Sequence, residues 1–120
     1  MSCEIQDWLE KKIQHKEKFI NYSLENVNTV FLKLQLDFKR TKIIIVGGTN
    51  GKGTVSNLIS SIYFRSGYKT GLFTSPHMLK INERIRVNED EINSKNLLSI
   101  LNFIYKVKGE IELTYFEFLT

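Results

Sequence analysis

Residues 46–55 read VGGTNGKGTV and follow directly on the apolar run KIIIV. A phosphate group needs several backbone N–H groups turned towards it, and glycines let a tight loop do that without steric penalty. Set between a strand and a helix N-terminus, such a loop also gains the positive end of the helix dipole. Lys52 adds a full charge that can reach terminal phosphates, with the side-chain oxygens of Thr49, Asn50 and Thr54 beside it. The spacing does not satisfy G-x-x-x-x-G-K-[ST], because Val46 stands where the first glycine belongs and Gly53 replaces the hydroxyl residue. The competing reading is a glycine-rich turn that merely joins strand to helix. A lysine flanked by three hydrogen-bonding side chains in this setting argues for phosphate.

Other segments carry weaker chemistry. In TSPH, Ser75 offers a hard oxygen donor acceptable to magnesium, although Ser-Pro also simply initiates turns. His77 has no cluster of partners and receives no catalytic role. Glu83, Arg84 and Arg86 lie in NERIRV, where two arginines either grip a carboxylate or phosphate or form a solvated strand face. Cys3 is the only cysteine, which leaves no disulfide or thiolate metal site and suits a reducing cytoplasm.

The elements that must position these residues follow from periodicity. A first helix is expected over 4–18 with Ile5, Trp8, Leu9 and Ile13 on one face. A second is expected over 24–35 with Leu24, Val27, Val30, Phe31 and Leu34 as its stripe and Ser23 as N-cap. Ile43–Val46 is short and β-branched, as expected of a strand buried on both faces. Val55, Leu58, Ile59, Ile62 and Tyr63 predict a helix with one buried face, ended by Gly67. KTGLFT (69–74) then reads as the next strand, so strand, loop, helix and strand make a βαβ unit in a parallel α/β sheet. The polar stretch 75–93, with Asn82 and Asn88, predicts a functional loop closing in a short strand or hairpin. A last helix is expected over 94–107, capped by Ser94, burying Leu97, Leu98, Leu101, Ile104 and Tyr105, and stopped by Gly109.

The chain of 120 residues has one small domain's length, with 42% hydrophobic and 25% charged residues. No apolar run is long enough for a membrane helix, and the N-terminus MSCEIQDWLEKK is no secretory signal. The net charge of +4 is modest, and KKIQHKEK (11–18) reads as a solvated helix face rather than a nucleic-acid arm.

GGTNGKGTVSNLI resembles the shortened phosphate loop of the ATP-dependent Mur ligase superfamily. Glycine after the lysine is similar to the branch containing folylpolyglutamate synthase and the bifunctional dihydrofolate synthase. GYKTGLFTSPHMLKINERIRVN (67–88), LTYFEFLT (113–120) and SLENVNTVFLKLQ resemble further signatures of that branch, so the match runs along nearly the whole chain. The resemblance implies the N-terminal part of a Mur-ligase-like ATP-binding domain: a P-loop-type parallel sheet flanked by helices, truncated. Its expected parts are a helical lead-in (1–42), a strand–loop–helix–strand core (43–74), a substrate loop (75–93), and a helix with the start of a pterin-site segment (94–120).

By the same resemblance, Thr49, Asn50, Gly51, Lys52, Gly53 and Thr54 would bind ATP, with Lys52 acting catalytically on the transferring phosphoryl group. Ser75 would take over the magnesium contact that the hydroxyl after the lysine makes in other loops. Thr114, Tyr115, Phe116 and Glu117 would line the pterin site, Thr114 through its hydroxyl and Phe116 through its ring. Against this stands a helix-capping threonine beside core aromatics. The loop 75–93 would shape the folate site, and INYS (20–23) matches too loosely to carry a contact. The implied activity is an amide-forming ligase: ATP activates a dihydropteroate or folate carboxylate as an acyl phosphate, and the amino group of L-glutamate attacks it. A monomer acting on small molecules, without nucleic acid or membrane, is expected. The family's later magnesium ligands and C-terminal domain are not in these residues, so the segment alone is expected to be inactive and to expose a strand edge and apolar surface. Two alternatives are a non-catalytic nucleotide-binding module and another Mur-type amino-acid ligase.

Overall fold

The computed structural model describes residues 2–13 and 24–120. Helix α1 spans Ser2–Lys12, α2 Glu25–Leu34 and α3 Lys52–Arg65. Strand β1 (Gly71–Phe73), a 3-10 turn (Ile81–Arg84), β2 (Ile85–Val87) and β3 (Asp90–Glu91) follow. Helices α4 (Ser94–Lys108) and α5 (Tyr115–Leu119) complete the order. The residues sort into two compact units, one of 3–41 with 98–120 and one of 42–97.

The first unit holds a packed apolar core. Ile5, Leu9 and Ile13 recur at helical spacing and are buried, as are Val30, Leu101, Phe118 and Leu119. Trp8 meets Tyr105 edge-on at 5.8 Å and Phe118 at 6.0 Å between ring centroids. The Lys12 and Lys108 ammonium groups lie over the Tyr105 ring at 5.3 and 4.9 Å. The expected stripe of α2 is only partly covered: Val30 is buried, while Leu24 and Phe31 are exposed. Phe31 instead stacks on Phe38 at 5.7 Å. Ser23, residues 14–18 of the expected first helix and INYS lie outside the described residues.

The second unit departs from expectation at its sheet. Ile43–Val46 forms no strand, and Ile45 is 91% exposed. A strand exists only through hydrogen bonds to a neighbour, and no described segment pairs with this one. The βαβ reading therefore fails. The sheet is three-stranded and antiparallel in the order β1-β2-β3, with Leu72 opposite Arg86 and Arg86 opposite Glu91. The connection from β1 folds straight back, so β2 returns beside β1 instead of crossing over. Helix α3 forms where its periodicity placed it, and Gly67 beyond its end has φ 88°. Its apolar stripe is not buried, however: Val55, Leu58, Ile62 and Tyr63 are all exposed. Apolar surface at 43–45 and on α3 is thus open, as expected of a sheet that is not filled out.

The loop 75–93 closes in the expected hairpin. Asn88 and Glu89, both at positive φ, form the two-residue turn between β2 and β3. Buried Asn82 donates to the carbonyl of Ile92 at 2.7 Å and so ties the 3-10 turn to the entry of α4. The cap of α4 is Asn93 rather than Ser94, since Asn93 Oδ1 accepts from the Asn96 amide at 2.8 Å. Leu97 and Leu101 are buried as expected, while Leu98, Ile104 and Tyr105 are half-buried.

Candidate functional site

Helix α3 starts directly on the glycine loop. Its N-cap, Gly51, sits at φ 77°, a left-handed conformation in which a side chain would be strained. No side chain caps the helix, and its first turn holds no acidic residue. The first intrahelical bond runs from the Val55 amide to the Gly51 carbonyl, so the amides of Lys52, Gly53 and Thr54 precede the ladder. Three N–H groups and the helix dipole therefore face whatever approaches the loop, which is the arrangement that binds anions. A Cβ at Gly53 would meet nothing within 4 Å. Packing inside the chain does not demand glycine there, and its bareness leaves room for a ligand.

Lys52 folds over its own loop. Its Nζ donates to the carbonyl of Gly48 and, at 3.1 Å, to that of Thr49. The ammonium is thereby fixed beside the loop, with one of its three donors left over. Further along α3, Ser56 Oγ donates to Lys52 O, and Asn57 Nδ2 to Gly53 O, both at 2.8 Å.

Ser75 lies exposed two residues beyond β1. Its loop is pinned from inside by Glu83, whose carboxylate accepts the amides of Met78, Leu79 and Lys80 at 2.8, 3.0 and 2.8 Å. These bonds, with that from Met78 foremost, hold the Glu83 carboxyl below its ordinary pKa. Lys80 in turn pairs with Glu91 at 2.7 Å, and that hydrogen bond raises the lysine's pKa. The apolar tip, Met78 and Leu79, stands in solvent. Of the two arginines, Arg84 is only 8% exposed and donates from Nε to His77 Nδ1 at 2.8 Å. Its Nη1 is buried with no partner among the described residues. Arg86 turns to Asn57 on α3. Neither arginine is a solvated strand face.

At the other end, Thr114 and Glu117 form a capping box. The Thr114 hydroxyl accepts from the Glu117 amide at 3.3 Å, and Glu117 Oε2 accepts from the Thr114 amide and hydroxyl at 2.8 Å each. Phe116 is exposed, Tyr115 half-buried and Phe118 buried. The two groups of expected site residues fall in different units: 49–54 and 75 in one, 114–117 in the other. The Glu83 clasp and the Arg86–Asn57 contact escaped the reading of the chain. A carboxylate three residues after a loop of bare amides was the available signal for the first. The second joins residues 29 apart and left none.

Among the described residues, no three His, Cys, Asp or Glu side chains gather as a metal site, and no helix is long and apolar enough to cross a membrane. No protein-family model matches the chain. The dihydrofolate synthase/folylpolyglutamate synthase of Buchnera aphidicola is 34% identical over 119 residues, covering 99% of this chain and 28% of that protein. Escherichia coli FolC in complex with DHPP and ADP superposes with a TM-score of 0.86 at 34% identity, over 96% of this chain and 28% of that one. The Yersinia pestis bifunctional folylpolyglutamate synthase/dihydrofolate synthase complexed with AMPPNP and Mn ion gives 0.86 and 34%, over 95% and 28%. The chain is a homologue of the dihydrofolate synthase/folylpolyglutamate synthases, corresponding over almost its whole length to little more than a quarter of theirs.

Proposed function

We propose that the chain is the phosphate-binding segment of an ATP-dependent ligase that adds L-glutamate to dihydropteroate, folates or both. The observation that carries this reading is the start of α3: three amides ahead of the ladder, no cap, no acid in the first turn, and Lys52 fixed over the loop. The bound ADP and AMPPNP of its relatives, and their names, supply the nucleotide and the glutamate. ATP supplies the phosphoryl group that activates the carboxylate. Thr49, Asn50, Gly51, Lys52, Gly53 and Thr54 hold its phosphates. Lys52 and the loop amides stabilise charge developing on the transferring group, which is electrostatic rather than covalent catalysis.

The hydroxyl of Ser75 suits magnesium, which keeps several waters and enters with phosphates instead of needing a carboxylate cage. The relative's Mn ion supports a divalent metal as the nucleotide's companion. Thr114, Tyr115, Phe116 and Glu117 form the pterin segment. There the capping box fixes the Thr114 backbone while the Phe116 ring stays open for stacking. A cytoplasmic, monomeric enzyme without nucleic-acid partners completes the reading. The test is phosphate release from ATP by the protein of the complete reading frame, with dihydropteroate or tetrahydrofolate as acceptor. Release that requires both acceptor and L-glutamate supports the reading, and release indifferent to glutamate refutes it.

A further inference from the structure

We propose that Arg86 and Asn57 form a positioning link through which the β2–β3 hairpin sets the geometry of the phosphate loop. This inference rests on reading residues 49–54 as the nucleotide site. Arg86 stands in the middle of the sheet, opposite Leu72 on one side and Glu91 on the other. Its guanidinium works in two directions. Nε at 3.0 Å and Nη2 at closer range both donate to the carbonyl of Glu89, while Nη1 donates to Asn57 Oδ1 at 3.1 Å. Glu89 is a non-glycine residue at φ 70°, so the arginine clamps the carbonyl of the turn's least comfortable residue.

Asn57 passes the connection on, since its Nδ2 donates to the Gly53 carbonyl at 2.8 Å. That carbonyl shares a rigid peptide plane with the amide of Thr54. Thr54 N–H is one of the three donors ahead of the helix ladder. Holding the Gly53 oxygen therefore aims a donor at the phosphate site. Glycine is the residue with the greatest backbone freedom, so a second hold on this plane matters more here than elsewhere in the helix. An asparagine suits the relay because one amide accepts from the arginine and donates to the loop. An arginine suits it because a lysine lacks the planar fork that reaches both ends at once.

The test is titration of the chain with magnesium-ADP by calorimetry, with melting curves to show that each variant is folded. Arg86→Gln and Asn57→Ala are each expected to weaken ADP binding about 10-fold, and the double variant no further, since either change breaks the same link. Arg86→Lys is expected to behave like Arg86→Gln, because the charge remains but the fork is lost. Asn57 is exposed, so its alanine variant keeps the fold and decides the matter even if an Arg86 variant melts. Unchanged affinity in Asn57→Ala would overturn the proposal, as would full recovery in Arg86→Lys or losses that multiply in the double variant. A separate failure is also recognisable. If the parent chain does not bind ADP, or Lys52→Ala binds it equally well, the phosphate-loop reading itself falls, and the link with it.

Discussion

Helices α1 and α3 carry apolar stripes of the same spacing, yet they end differently. Ile5 and Leu9 of α1 and Ile13 just beyond it are buried, with Leu9 fully so, whereas Leu58 of α3 is 59% exposed. Both helices form, so the spacing tells which face a helix would bury. It does not tell whether anything in the chain covers that face. The covering of α1 comes from the unit it belongs to, where Trp8 meets Tyr105 and Phe118. Helix α3 has the three short strands in its unit, and they leave its stripe open.

Substitutions put this contrast at risk in order of size. Leu9→Ala should cost about 3 kcal/mol of stability in urea unfolding, because it opens a cavity in a closed core. Removing the cap with Thr114→Ala should cost about 1 kcal/mol, and Thr114→Ser should restore most of it, as serine keeps the capping oxygen. Acid should loosen the loop at 78–80 more mildly. The depressed pKa of Glu83 means its stabilisation is complete above the ordinary glutamate range and is lost as pH falls through the lowered value. Lower protection of the Met78, Leu79 and Lys80 amides, each measured against its intrinsic exchange rate at the same pH, would show it in acid, and Glu83→Gln should produce the same loosening at neutral pH. Smallest of all, Leu58→Ala should change stability by less than about 0.5 kcal/mol, as expected at an uncovered position. A cost near that of Leu9→Ala would mean that the stripe of α3 is covered after all.

Local chemistry was legible along the chain, and pairing was not. Glycine at 51 and 67, the run of α3 and the hairpin after Asn82 are written in neighbouring residues, and each was found in place. The isoleucines at 43–45 carry strong strand character, but a strand is a relation to a partner that these residues do not name. Ser94 and Asn93 are both good caps, and only the Asn93–Asn96 bond decides between them. At the candidate site, a glycine loop running into the start of α3 with Lys52 beside it was legible from residue type and order. The link from Arg86 through Asn57 to Gly53 depends on two elements meeting, which no local pattern encodes.

Whether the start of α3 is a phosphate site is decided by calorimetric titration with magnesium-ATP. Saturable binding by the parent chain is expected, with a loss of about 100-fold in Lys52→Ala, the larger part of it from the missing charge-assisted contact. Equal affinity in the two proteins, or no binding by the parent, would contradict a phosphate site there.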